Sequence, residues 1–317
     1  MPELPEVQTV VTELNRKLKN RTIGSVEVRA GKLVGIGPAT LSPIRKFDGL
    51  VVKKFTTLLK GQKIIDVKRR AKLLIFSLSP TSPKLRRTGG WSMLAHLKMT
   101  GQFIFEDKAL RKKTGGKYRL LNKLIAPLTQ LPAKHTHVMF NFSDGAILYF
   151  NDVRKFGYLK LVHDDEMHKV RELKEFGPEP LDKTFTLSVL STAVNKLDKR
   201  KIKEVLMDSK VVAGIGNIYS DEILFHAGVR PERKVLSIKN NELRKIYKNI
   251  KKVLIRAIKA KGSSVGDFIR TDGSWGQMGK YHYVYGRKGR ECKKCGTIIE
   301  SIKLGGRTGS FCPKCQR

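Results

Sequence analysis

Cys292-Lys293-Lys294-Cys295 and, sixteen residues further on, Cys312-Pro313-Lys314-Cys315 close the chain. This is the spacing of a four-thiolate zinc site, two knuckles each presenting two sulfurs to one tetrahedral ion. All four cysteines of the 317-residue sequence fall in the pattern, which leaves none for a disulfide framework elsewhere. Four protein ligands leave no open position, so one structural Zn2+ is expected rather than a catalytic one. Residues 286–317 are too few to fold on apolar burial alone, whereas structural zinc contributes an apparent ~10–16 kcal/mol in finger peptides. The same segment holds nine Lys or Arg against two acids, so the finger also offers a surface to phosphate. Arg307 lies between the knuckles, near the tip of an expected hairpin.

Upstream of the finger, Gly262–Lys280 contains five Gly and three Ser with little periodicity, which predicts a long loop of the kind that usually serves a function. Before that loop the spacing is helical over 187–197, 200–207, 217–226 and 240–259. The last stretch places Leu243, Ile246, Ile250, Val253, Leu254 and Ala257 on one face. Between two of these helices runs Val211-Val212-Ala213-Gly214-Ile215-Gly216-Asn217-Ile218-Tyr219. Its glycines allow tight turns, Asn217 is placed to cap the following helix, and such turns expose backbone N–H groups to phosphate.

Phe176-Gly177-Pro178-Glu179-Pro180 reads as a linker. N-terminal to it lie short β-rich runs at 23–29, 51–58, 64–68, 73–78, 91–97, 102–105, 138–142, 146–150 and 157–162. Ser143-Asp144-Gly145 between two of them is a hairpin signal. Many short strands of this kind predict a sandwich or barrel. Residues 106–134 read as an insertion with eight Lys or Arg and two acids; a solvated loop and an added phosphate contact are both open.

Composition narrows the partner. Sixty-four Lys plus Arg against 28 Asp plus Glu give a net charge of +36, an excess that implies a polyanion, nucleic acid before an anionic membrane surface. No run of 18 apolar residues and no signal-peptide pattern occurs, so a protein retained inside the cell is expected.

The N-terminal Met1-Pro2-Glu3-Leu4-Pro5-Glu6-Val7 begins an amphipathic helix that extends to about Lys19. Pro and acidic residues suit a helix start. With Met1 removed, Pro2 is also a free secondary amine, which can attack a carbonyl carbon and form an iminium; Glu3 is close enough to move protons. Asn151-Asp152-Val153-Arg154-Lys155-Phe156-Gly157 sets a basic pair beside an aromatic, as a loop that enters a groove requires. Arg69-Arg70-Ala71-Lys72 leads into a strand, and His96-Leu97-Lys98-Met99-Thr100-Gly101 ends one.

Together and in this order, these motifs resemble the bacterial formamidopyrimidine-DNA glycosylases of the Fpg/Nei family, over nearly the whole chain. The resemblance implies an α+β protein of two domains. An N-terminal catalytic β-sandwich with flanking helices (1–165, with the insertion at 106–134) is followed by a linker (166–183) and a helical helix–two-turns–helix domain (184–261). A lesion-capping loop (262–282) and a four-cysteine β-hairpin zinc finger (283–317) complete it. It implies excision of oxidised purines, 8-oxoguanine and formamidopyrimidines, from double-stranded DNA, and β,δ-elimination at abasic sites. Pro2 is then the nucleophile at C1′ and Glu3 the general acid/base. Lys72 binds phosphate and serves β-elimination, and Arg307 binds the damaged nucleotide's phosphate and serves δ-elimination. Met99, Arg154 and Phe156 fill the void left by the extruded base. Asn217 binds phosphate, His135 contacts DNA, and Lys155 and Lys203 are expected to add DNA contacts. Cys292, Cys295, Cys312 and Cys315 hold the zinc. A monomer in the bacterial cytoplasm, associated with the nucleoid and not with membrane, is expected. An oxidised-pyrimidine glycosylase of the endonuclease VIII kind and a catalytically silent nucleic-acid-binding protein are the competing readings; the loop at 262–282 favours the formamidopyrimidine-DNA glycosylase branch over the endonuclease VIII one.

Overall fold

The computed structural model of the protein describes residues 1–41, 47–81, 90–118 and 129–317; positions 119–128 of the basic insertion lie outside the described residues. Internal contacts divide the chain into two compact units. One is Met1–Pro2, Glu6–Lys174 and Ser263–Gly276; the other is Glu3–Pro5, Glu175–Gly262 and Gln277–Arg317.

The first unit is a sandwich. Helix α1 (Leu4–Leu18), whose first two residues cluster with the second unit, turns Val7, Val10, Val11, Leu14 and Leu18 inward at the expected spacing. Strands β1 (Ile23–Val28), β9 (Thr136–Phe142), β10 (Ile147–Asp152) and β6 (Gly101–Glu106) form one sheet in that order. Strands β2 (Val34–Ile36), β11 (Tyr158–His163), β5 (Trp91–His96), β4 (Leu73–Pro80) and β3 (Gln62–Arg70) form the other. One buried cluster draws on both sheets and on α1. Phe76 of β4 meets Phe103 of β6 edge to face at 5.8 Å, the geometry that ring quadrupoles prefer. The hairpin expected at Ser143-Asp144-Gly145 joins β9 and β10.

The strand expected at Val51–Leu58 is corrected: these residues belong to helix α2 (Gly49–Leu59). Asp48 caps it, accepting from the N–H groups of Leu50 and Val51 at 2.9 and 3.2 Å. Phe55 and Leu59, four residues apart, are buried. The cap and this helical stripe outweigh the β preference of Val51 and Val52. The described part of the insertion is likewise not simply solvated. It contains the exposed basic helix α3 (Lys108–Thr114) and the short pair β7 (Lys117–Tyr118) and β8 (Thr129–Gln130), and Tyr118 and Leu131 are buried. The short helix α4 (Arg171–Glu175) follows β11.

The second unit packs α5 (Leu187–Asn195), α6 (Ile202–Met207), α7 (Asn217–Ala227) and α8 (Asn240–Lys259) around one core. All six residues expected on the buried face of α8 are buried. Strands β12 (Glu300–Leu304) and β13 (Arg307–Phe311) make an antiparallel hairpin. Leu304 pairs with Arg307, so Gly305 and Gly306, with φ of 52° and 74°, form a two-residue turn that only left-handed backbone allows. No helix among the described residues is long and apolar enough to cross a membrane.

Candidate functional site

In the second unit, Glu3 is 2% exposed. One carboxylate oxygen accepts from the N–H groups of Gly216 and Tyr219 at 2.8 and 3.3 Å, and the other from Ile218 at 2.8 Å. These donors lie at the first turn of α7, where backbone N–H groups have no partner inside the helix and the dipole favours an anion. The expectation that Asn217 caps this helix is therefore corrected. Asn217 is the first helical residue, Gly216 is the cap position, and Glu3 supplies the capping oxygens from 213 residues away. Asn217 is half-buried, and its Oδ1 is buried without a hydrogen-bond partner among the described residues.

The glycines of this turn have separate reasons. A Cβ on Gly216 would stand 2.5 Å from Glu3 Cδ, and one on Gly214, where φ is +87°, would stand 2.7 Å from Leu4 Cβ. Leu4 also donates its N–H to the Gly214 carbonyl at 3.0 Å. The Gly214-Ile215-Gly216 turn is a socket for the chain's third and fourth residues.

Lys203 is 1% exposed. Its ammonium pairs with Asp221 and donates to the carbonyls of Thr308 (3.0 Å) and Asn217 (3.4 Å), which uses its three hydrogens. Lys203, for which a DNA contact is expected, directs its ammonium into the unit in this structure. Asp221 also accepts from Ser310 N–H at 3.0 Å, so the pair ties α6, α7 and β13. Burial pushes Asp221 up to about 7 and Lys203 down, and their mutual attraction opposes both shifts. Arg307, exposed at the hairpin tip, borders a cleft of about 390 Å³ together with Arg200, Lys203 and Glu204.

The four cysteine sulfurs lie within 4.8 Å of one another. The separations are 3.4 Å for Cys295–Cys315, 3.5 Å for Cys295–Cys312 and 4.0 Å for Cys292–Cys315. A tetrahedron with ~2.3 Å zinc–sulfur bonds has edges of about 3.8 Å, so the donor set fits zinc. Next to it, buried Glu222 of α7 accepts from the N–H groups of Tyr283, Val284 and Tyr285 at 2.9–3.1 Å. Asp221 and Glu222 were not anticipated as site residues. A nearly all-buried helix carrying two adjacent acids in so basic a chain was the available signal.

In the first unit, Pro2 is buried and Met1 is 38% exposed. Lys72 is half-buried in the two-residue turn between β3 and β4, beside Ala71 at φ 52°. Burial first, then the charges of Lys98 and Lys72, lower His96 to about 3, so its ring is neutral at pH 7. Its Nδ1 accepts from Lys98 N–H at 2.9 Å.

Buried Asp152 organises the loop after β10. Its carboxylate accepts from Thr100 Oγ1 and from the N–H groups of Arg154 (3.1 Å) and Gly157 (2.7 Å). The Arg154 N–H also donates to Thr100 Oγ1 at 3.0 Å, which links this loop to the one carrying Met99. Arg154 lies over the Phe156 ring at 4.7 Å. Met99, Arg154, Lys155 and Phe156 are all exposed, and Lys155 has φ of 54°. An arginine, a large apolar ring and a methionine held outward by buried hydrogen bonds can enter a groove between bases. His135 is half-buried, and its carbonyl accepts from Asp152 N–H at 2.9 Å. Asp152 and Thr100 were missed because a buried acid-to-turn network has no spacing signature.

A sandwich unit, a helical unit with a capped Gly-rich turn and a four-thiolate finger define a nucleic-acid-handling protein with a metal-binding finger. The N-terminal domain model of formamidopyrimidine-DNA glycosylase matches residues 1–159, and its H2TH domain model matches 176–268. The zinc finger found in FPG and IleRS matches 289–317. A formamidopyrimidine-DNA glycosylase from Shouchella clausii is 38% identical, with 100% of this chain and 99% of the relative covered. The Lactococcus lactis Fpg in complex with DNA containing an abasic site matches with TM-score 0.77 at 30% identity over 99% of each chain. A MutM complex with DNA containing carbocyclic 8-oxo-G matches with TM-score 0.77 at 31% identity over 100% of each. The chain belongs to the formamidopyrimidine-DNA glycosylase family, and its four cysteines hold the one structural zinc ion of the family's finger.

Proposed function

We propose that the protein is a bifunctional DNA glycosylase and abasic-site lyase of base excision repair. It acts as a monomer on double-stranded bacterial DNA and excises 8-oxoguanine and formamidopyrimidines. The observation that carries this reading is Glu3: a buried carboxylate, oriented by three backbone N–H groups, directly follows a proline that becomes a terminal secondary amine once Met1 is removed.

The Pro2 nitrogen lone pair attacks C1′, the bond from C1′ to the base breaks, and the base leaves with a proton. The Glu3 carboxylate takes the proton that the Pro2 nitrogen gives up on attack and delivers it to the sugar ring oxygen as the C1′–O bond breaks, leaving an iminium between C1′ and Pro2. Having no N–H to lose, that iminium stays an electron sink. Loss of a C2′ proton then expels the 3′ phosphate, a second elimination expels the 5′ phosphate, and water releases Pro2. Lys72 and Arg307 hold the phosphates and assist the first and second eliminations. Zinc holds the finger that presents Arg307 and takes no part in bond breaking.

C1′ is out of reach inside the base stack, so the damaged nucleotide must leave it, at a few kcal/mol. Met99, Arg154 and Phe156 fill the gap, with Arg154 toward the orphaned cytosine. Asn217, His135 and Lys155 add DNA contacts, and the loop at 262–282, of which Ser263–Gly276 belongs to the first unit, closes over the extruded base. The testing experiment compares strand cleavage of duplexes carrying 8-oxoguanine opposite cytosine with duplexes carrying thymine glycol. Preference for 8-oxoguanine is expected. Preference for thymine glycol would move the protein to the oxidised-pyrimidine branch, and binding without cleavage would make it a silent DNA-binding protein.

A further inference from the structure

We infer that the described part of the basic insertion, residues 106–118 and 129–134, is a specificity element, which braces the Ser263–Gly276 segment on the first unit, with Ile269 and Trp275 as the positioning residues of that brace. The inference rests on the reading that this segment closes over the damaged base.

The segment is fixed along its length by two kinds of anchor. The polar anchors come from α1 and β6. Glu6 accepts from Ser263 N–H at 2.8 Å, and Glu13 accepts from Arg270 Nε at 2.6 Å and from Thr271 N–H at 3.1 Å. Gln102 donates to the Asp267 carbonyl at 2.7 Å, and Phe105 N–H donates to the Thr271 carbonyl at 2.8 Å. The apolar anchor comes from the insertion. Ile269, 2% exposed, clusters with Ile104, Met139 and Tyr149 of the four-stranded sheet and with Tyr118 and Leu131 of the insertion; Trp275 and Leu110 pack against this cluster.

The insertion is itself pinned to the sheet. Buried Glu106, the last residue of β6, accepts from the hydroxyls of Tyr118 at 3.0 Å and Tyr149 at 3.3 Å and pairs with Arg111 at 3.4 Å. Burial raises Tyr118 to about 12, so its hydroxyl keeps the donated proton. Between insertion and segment lies a cleft of about 620 Å³ bordered by Lys113, Lys117, Tyr118 and Trp275. Only the tip stands out: Val265 is 49% exposed, and a Cβ on Gly266 would meet nothing within 4 Å.

A segment already fixed along one flank gives up little further backbone freedom when its tip closes over a base. Loosening the flank raises that entropic cost for a step that needs the tip. An abasic site presents no base to cover, so its cleavage does not need the tip.

The test uses the full chain with Met1 removed and the variants Ile269→Ala and Trp275→Ala. Single-turnover excision of 8-oxoguanine, strand cleavage at a preformed abasic site, and amide hydrogen exchange over 267–271 are measured on the same preparations. Excision is expected to fall about tenfold, abasic cleavage to stay within about twofold, and exchange protection at 267–271 to drop. An equal fall in both activities, or unchanged excision, would overturn the inference. If the unaltered protein cleaves neither substrate, the function proposed above fails instead. Exchange protection then still decides the brace, and its retention in both variants contradicts it.

Discussion

The Glu3 carboxylate occupies the space that a side chain on Gly216 would need, 2.5 Å from where its Cβ would be. Gly216 has φ −137° and ψ −151°, which alanine can adopt, so Gly216→Ala acts by steric displacement of Glu3 and not by backbone strain. Overpacking of this kind costs about 1–3 kcal/mol. A shift of about 1 Å in a catalytic group is enough for ~100-fold in rate. Thermal melting and single-turnover excision check both effects; a variant with unaltered excision would show that Glu3 does not need this position.

The Lys203–Asp221 pair makes a different prediction. Both partners are fully buried. Removing one charge strands the other, at about 3–5 kcal/mol, whereas replacing both is far milder. Lys203→Met and Asp221→Asn are each expected to destabilise the second unit more than the double variant does. Urea unfolding followed by a second-unit probe such as Tyr219 or Tyr247 measures this, and additive losses would contradict the coupling.

Zinc removal should act on the finger and leave the Glu3 cap intact. Chelation is expected to unfold the hairpin that carries Arg307 and to weaken DNA binding. The log–log salt slope should become shallower by about 0.9 for each phosphate the finger no longer neutralises. Anisotropy titrations across salt concentrations with and without chelator test this, and identical slopes would place the finger off the DNA.

These elements were unevenly legible. The zinc site, the helices of the second unit and the hairpin at Ser143-Asp144-Gly145 came from local spacing, because each is set by residues close in sequence. Val51–Leu58 misled because two adjacent valines favour strand, while the deciding terms, the Asp48 cap and the burial of Phe55 and Leu59, are respectively outside the run and tertiary. The capping of α7 by Glu3 spans 213 residues, and no local rule could assign it in place of Asn217. Lys203 looked like one more cation in a chain of +36; its role depends on Asp221, eighteen residues away. The insertion left a solvated loop and a phosphate contact both open because its charges dominate its composition, while Tyr118 and Leu131 do the packing.

His96 contributes to the pH dependence, alongside His226 and His282, which burial lowers to about 4, and His137, which burial also lowers. The folded-state value of His96, about 3, lies below the ordinary 6.5. Between these values the unfolded chain binds a proton that the folded chain does not, so stability falls as pH drops below about 6.5. The slope for one such group is at most about 1.4 kcal/mol per pH unit. His96→Asn, which keeps an acceptor for Lys98 N–H, is expected to flatten the slope between pH 6.5 and 5 in urea titrations. An unchanged slope would mean that His96 is protonated in the folded state.

The proposed chemistry stands or falls with Pro2 as a covalent nucleophile. Borohydride trapping of the Met1-processed protein on a duplex with 8-oxoguanine opposite cytosine, followed by peptide mapping of the adduct, measures this at the bond itself. The expected product is a DNA-linked N-terminal peptide with the sugar on Pro2, and none when the N-terminus is extended. No adduct from processed, DNA-binding protein, or an adduct on a lysine with Pro2 unmodified, would contradict it.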